Sequence, residues 1–93
     1  MRLHIEHLAQ RQRFQAVVDG MVCVADYRLD DGVLCITHTE VPGPLQGRGI
    51  AAALMRAVLD HAAAGALAVR PLCSYARSYM RRHPGGALGR TPP

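Results

Sequence analysis

Two Asp-Gly pairs set the frame for everything else in this chain. Asp19-Gly20 and Asp30-Asp31-Gly32 cut residues 12–41 into three runs of alternating β-formers. An Asp-Gly pair between such runs is the chemistry of a two-residue hairpin turn, whose central positions need left-handed backbone. The segment is therefore expected to be a three-stranded antiparallel meander, with strands at Phe14 to Val18, Met21 to Leu29 and Val33 to Val41. A period of two puts Met21, Cys23, Ala25, Tyr27 and Leu29 on one face of the second strand. On the third it puts Leu34, Ile36, His38 and Glu40 on one face, and Val33, Cys35, Thr37, Thr39 and Val41 on the other.

Pro42-Gly43-Pro44 ends the third strand, because proline has no N–H for a sheet ladder and the Gly-Pro pair breaks regular structure. From Arg48 to Ala64 the period changes to that of an amphipathic helix, with Ile50, Leu54, Ala57, Val58 and Ala62 on its apolar face and Gly65 at its end. Leu67 to Arg70 reads as a short strand closed by Pro71. A helix lies between it and the third strand, so the two are expected to pair in parallel as a β-α-β unit. A second helix, Ser74 to Arg82, is expected with Ser74 as its N-cap and His83-Pro84 as its stop. The predicted architecture is α+β: a meander continuing into a β-α-β unit, with a second C-terminal helix. Residues 1–84 form one domain, and the Gly- and Pro-rich residues 85–93 form a mobile tail.

Ninety-three residues bury only about 60–65% of the unfolded chain's surface, enough for a single core. Hydrophobic residues at 49% and charged residues at 19% match a folded soluble domain rather than a disordered one. No apolar run approaches the roughly 18–20 residues of a membrane span, and the N-terminus lacks the apolar core of a signal peptide. A cytoplasmic protein without membrane contact is expected. Cys23, Cys35 and Cys73 are odd in number and form no C-x-x-C pair, which points to free thiols. Cys23 and Cys35 are read as packing residues. His4, His7, His61 and His83 have no metal-ligand spacing and are read as surface or capping residues, so no metal is expected.

Charge is distributed unevenly. Residues 1–45 carry four Arg against six acids, whereas residues 46–93 carry seven Arg against Asp60 alone. The positive half could attract nucleic acid. With three Tyr, one Phe and no Trp the chain lacks a stacking pattern, and no nucleic-acid motif accompanies the charge. A small, multiply phosphorylated ligand uses the same field, and no nucleic-acid partner is expected.

Within that half, Gln46-Gly47-Arg48-Gly49-Ile50-Ala51 lies between a strand and a helix. Unpaired N–H groups at a helix start, backed by the helix dipole, form an anion cradle. Gly47 and Gly49 permit backbone conformations that a Cβ disfavours, and the Arg48 guanidinium can add a charge-assisted bond to phosphate. The plain alternative is a loop leading into an amphipathic helix. A nucleotide-triphosphatase loop is excluded by the absence of lysine, and a dinucleotide fingerprint needs a third glycine where Ala52 stands.

These residues resemble the GNAT superfamily of N-acetyltransferases, whose [Q/R]-x-x-G-x-[G/A] signature is met at every defined position by Gln46 to Ala51. His38-Thr39-Glu40-Val41-Pro42, Pro71-Leu72-Cys73-Ser74-Tyr75, Tyr79 and His83-Pro84 further resemble the small stand-alone members of that superfamily. The resemblance covers residues 14–84. It implies a GNAT-like fold and acetyl transfer from acetyl-CoA to a primary amine, with a protein or peptide amine or a small molecule as acceptor. It implies that the amides of Gln46, Gly47, Arg48, Gly49, Ile50 and Ala51 hold the coenzyme A pyrophosphate. Thr39, Glu40 and Val41 would lie along the pantetheine arm, and Ser74 and Tyr75 would also bind the cofactor. A coenzyme A binding module with vestigial or regulatory activity is the alternative, and a monomer or weak homodimer is expected.

Acetyl transfer needs a base for the amine, stabilisation of the oxyanion and a proton for the departing thiolate. His38 and Glu40, two apart on one strand, are candidates for the base, an imidazole being the better matched at neutral pH. Either can equally be a structural or solvated group. Cys73, at a helix start near Arg70 and Arg77, is a candidate nucleophile or a packing residue. Tyr79 corresponds to the tyrosine with which GNAT enzymes protonate the thiolate, one residue short of the usual spacing. Tyr75, one turn earlier, is the alternative.

Overall fold

The computed structural model describes residues 3–83, so the expected mobile tail, Gly85 to Pro93, lies outside the described residues. Five strands form one mixed sheet in sequence order: β1 (Glu6–Leu8), β2 (Arg13–Val18), β3 (Met21–Asp30), β4 (Val33–Glu40) and β5 (Ala68–Pro71). Helix α1 (Ile50–Ala64) links β4 to β5, and α2 (Ser74–Arg82) follows. The first four strands run antiparallel and β5 is parallel to β4.

Both hairpins turn through Asp-Gly with positive φ at both positions, 51° and 76° at Asp19-Gly20 and 51° and 81° at Asp31-Gly32. This is the left-handed pair that matches strand twist. The meander is one strand longer than the sequence suggested. Gln12, with φ 53°, turns the chain from a short 3-10 segment into β2, and β1 pairs along β2 on the outer edge. Its three residues show no alternation for periodicity to detect.

Helices α1 and α2 pack on one face of the sheet. Ile50, Leu54, Met55, Val58, Leu59 and Ala62 of α1, with Ala76 and Tyr79 of α2, close over Phe14, Cys23, Ala25, Tyr27, Leu34 and Ile36. The sheet's other face carries Val17 and Val22, 57% and 47% exposed. Cys23 and Cys35 are fully buried. Leu29, expected on the packed face with Met21, Cys23, Ala25 and Tyr27, is 49% exposed near the end of β3.

The largest departure from the expected alternation lies in β4. Tyr27 pairs with Ile36 but Asp26 pairs with His38, so Thr37 is an extra residue, a β-bulge. Its hydroxyl donates to the Asp26 carbonyl at 3.3 Å. A bulge reverses the side-chain alternation that follows it. Thr39 therefore stands opposite Ala25 on the helix-covered face, while His38 and Glu40, opposite Asp26 and Val24, lie on the other. The grouping of Leu34 and Ile36 with His38 and Glu40 is thereby corrected.

Candidate functional site

Pairing between β4 and β5 stops at Ile36 and Pro71. The Ile36 carbonyl accepts from both Leu72 and Cys73 amides, at 2.9 and 3.1 Å, and the chain then turns away into α2. From Thr37 onward β4 is paired with β3 alone. A cavity of about 420 Å³ opens beside this freed end, lined by Thr39, Val41, Leu45, Gln46, Gly47, Gly49, Ile50, Ala51, Ala52 and Tyr75.

The loop into α1 has the form that an anion cradle requires. Gly47 and Gly49 adopt φ of 83° and 82°, and a Cβ at either would meet no protein atom within 4 Å. Conformation rather than crowding by the protein demands glycine there. Gly49 is the N-cap of α1, no side chain caps the helix, and its first turn carries no acid. The leading amides of a 15-residue helix thus stand at the cavity wall with the positive dipole end behind them. That donor set suits a pyrophosphate.

Two motif residues act otherwise than expected. The Gln46 amide already donates to Gly43 O at 3.1 Å within the preceding 3-10 turn, and its side chain donates to Val41 O at 3.0 Å. Gln46 therefore ties the loop to the end of β4 instead of offering its own N–H. The Arg48 guanidinium bonds Asp19 in the first hairpin turn at 3.3 Å and does not line the cavity. Both partners are exposed, so this pair is weak.

Among the candidates for chemistry, the structure makes two groups. Thr39 Oγ1 and Cys73 Sγ lie 3.6 Å apart on the cavity side. Cys73 is the N-cap of α2, its sulfur accepting the Ala76 amide at 3.4 Å, which corrects the expected Ser74 cap. Ser74 is exposed as the first helical residue and does not line the cavity. The second group, His38 and Glu40, lies on the opposite face, with Nε2 to Oε1 at 3.0 Å and side chains 55% and 67% exposed. A carboxylate can only accept, so Nε2 carries the proton in this contact, and in the neutral imidazole Nδ1 is the lone pair that remains.

The two tyrosines separate. Tyr75 is half-buried in the cavity wall, and burial pushes its phenol above the ordinary tyrosine value against the opposing pull of Arg82. Tyr79, 5% exposed, lines a different recess with Ala52, Ala53, Arg56 and His83. His4, His7 and His83 are exposed and His83 caps the end of α2, as expected of surface or capping residues, while His61 is half-buried. His7 Nε2 lies 2.6 Å from the Tyr27 hydroxyl, and its ring stacks on Phe14 and meets His61 edge-on. Nothing local in the sequence signals that contact, which joins β1 to the end of α1. No cluster of metal-ligating side chains and no helix long and apolar enough to cross a membrane occurs among the described residues.

This arrangement has known counterparts. The sequence model of the GCN5-related N-acetyl-transferase family matches residues 13–87. Protein NATD1 of Mus musculus is 31% identical over 86 residues, covering 88% of this chain and 77% of its own. Protein NATD1 of Homo sapiens is 30% identical, covering 88% and 75%. The NMR structure of a GCN5-like protein from Staphylococcus aureus superposes with a TM-score of 0.76 at 25% identity, covering 97% of this chain and 88% of that one.

Proposed function

The chain belongs to the GCN5-related N-acetyltransferase family, and from that premise we propose that it transfers an acetyl group from acetyl-CoA to a primary amine. The observation that carries this proposal is the cavity where β4 loses its β5 partner, walled by two left-handed glycines and the uncapped start of α1. The amides of Gly47 and Gly49 and of the first turn of α1 hold the pyrophosphate, and the freed edge of β4 around Thr39 and Val41 guides the pantetheine arm.

The amine approaches from the bare face. His38 Nδ1 takes its proton, with Glu40 fixing the tautomer through Nε2. The amine nitrogen bonds the acetyl carbon, the carbon–sulfur bond breaks, and the Tyr75 hydroxyl protonates the thiolate. A phenol is protonated at neutral pH and so carries the proton this step needs. Cys73, held by Ala76 N–H and Thr39, stands beside the reacting end. Because His38 and Glu40 are so exposed, an accessible amine such as that of a protein or peptide suits the site better than an enclosed small molecule. The same exposure favours one second reading, a coenzyme A binding module without turnover.

Titration with coenzyme A followed by turnover of acetyl-CoA against a panel of amines separates the readings. Absence of binding at millimolar ligand defeats both, and binding without turnover leaves the module. With turnover, His38→Ala is expected to lower kcat by about 100-fold, the scale of general-base catalysis. Tyr75→Phe should lower kcat and Tyr79→Phe should not. The reverse order would return the proton-donor role to Tyr79.

A further inference from the structure

Cys35 lies on the wrong side of the sheet to owe its burial to the helices. It alternates with Leu34 and Ile36, which pack under α1 and α2, so its side chain is on the bare face, and it is nevertheless only 1% exposed. Its partners in register are Arg28 on β3 and Arg70 on β5. Paired residues on neighbouring strands present their side chains to the same face, so two arginines flank this small residue from either side. An arginine lays its methylene stem along apolar surface and keeps its guanidinium in water. Both arginines are exposed, and neither takes part in an ion pair among the described residues.

The acids nearest to them along β3 do not neutralise the pair. Asp26 is held by Arg13 at 2.7 Å, and Asp30 is exposed and joins no ion pair among the described residues. The arginines are remote from the phosphate cradle, because Gly47 and Gly49 follow the opposite end of β4. They are close to the proposed base instead. His38 is three residues along β4 on the same face, about 10 Å at the rise of a strand, and Glu40 is two residues further. Arg70 is the last but one residue of β5 before its pairing with β4 stops, so the arginines stand at the closed end of the gap between those strands. The bare face thus carries, in order, a carboxylate at Glu40, an imidazole at His38 and two cations.

We propose that the stems of Arg28 and Arg70 cover Cys35 and that their guanidinium groups bind a carboxylate of the acceptor, which makes the substrate a protein or peptide amine with acidic residues two or three positions away. The proposal rests on the reading above of acetyl transfer with His38 as base. A carboxylate fits a guanidinium fork with two parallel bonds. Three residues of an extended peptide span the same distance, about 10 Å, as that from His38 to Cys35. Glu40 complements the other end by attracting the ammonium group before it loses its proton.

Steady-state acetylation by the full chain with acetyl-CoA tests this on two lysine peptides, one with glutamates two and three residues to either side of the lysine and one with glutamines there. The wild type is expected to favour the acidic peptide about tenfold in kcat/KM, mainly through KM, and to lose that preference at about 0.5 M salt. Arg28→Met with Arg70→Met keeps a stem over Cys35 and should bring the ratio to about one, whereas Arg28→Glu with Arg70→Glu should reverse it. Circular dichroism checks the fold of each variant. Labelling of Cys35 by a thiol reagent, mapped by mass spectrometry, should be slow in the wild type and the methionine variant and fast in Arg28→Ala with Arg70→Ala. Equal use of the two peptides by the wild type, a preference that survives the methionine variant, or equal labelling throughout overturns the inference while acetyl transfer stands. So does acetylation of a simple alkylamine but of neither peptide. Absence of turnover with every amine overturns both.

Discussion

The two ends of β4 make an instructive contrast. Val33 to Ile36 is paired on both sides, by β3 and by β5, and Leu34 and Ile36 are completely buried under the helices. Past the Thr37 bulge, His38 to Glu40 is paired on one side only and alternates between half-buried and exposed. The first half is a sheet interior and stabilises the fold. The second is a free strand edge, and a free edge offers backbone groups to whatever extended ligand lies alongside. One added residue marks the change, and it also decides which side chains face the helices and which face solvent.

That contrast is sharpened most by truncating each half in turn. Ile36→Ala should cost about 2–5 kcal/mol of stability through lost burial and a residual cavity. Thr39→Val should leave stability nearly unchanged and act on turnover. Urea denaturation compares them, and equal stability losses would break the distinction. Next in size is Gly49→Val, which puts a β-branched residue at φ 82° and fills the cradle. About 100-fold weaker coenzyme A binding is expected by calorimetry, and unchanged affinity would remove the phosphate role of the loop.

A smaller effect is expected at the Gln46 tether to Val41. Gln46→Glu keeps the shape and loses the donor, so coenzyme A affinity should fall by up to about tenfold, the scale of one hydrogen bond. Gln46→Arg, which still carries a donor, should recover part of it; no difference between the two variants would show that the tether is idle. The smallest effect lies far from the cavity, at the β1 edge. Burial, and secondarily His61, hold the His7 pKa below its ordinary value of 6.5. The unfolded chain then binds the extra proton more readily, so stability is lost as pH falls from about 7 through 6.5 and below. Thermal melts from pH 7.5 to 5 should show this decline, and His7→Phe should flatten it.

Much of the molecule was legible in the residues because the relevant physics is local. The Asp-Gly turns, the 3.6-residue period of α1 and the two glycines ahead of it each act within a few residues, and each element formed near its predicted place. The core face of β3 up to Tyr27 followed from alternation alone. The site was less legible. Alternation assumes an unbroken ladder, and the Thr37 bulge, a matter of how β4 pairs with β3, breaks it. Gln46 could be recognised as part of the motif, but its use of side chain rather than amide depends on where Val41 and Gly43 come to lie.

Sequence by itself determined the order of elements from β2 to α2, the glycine loop and the family, since turn chemistry, periodicity and a short motif are written in neighbouring residues. Only the tertiary structure decided that His38 and Glu40 face away from Thr39 and Cys73, and that Tyr75 and Tyr79 line different recesses. It also decided that His7 closes the edge of the core against Phe14, Tyr27 and His61. Those relations join residues far apart in the chain, and which of them meet is set by strand register and helix packing together.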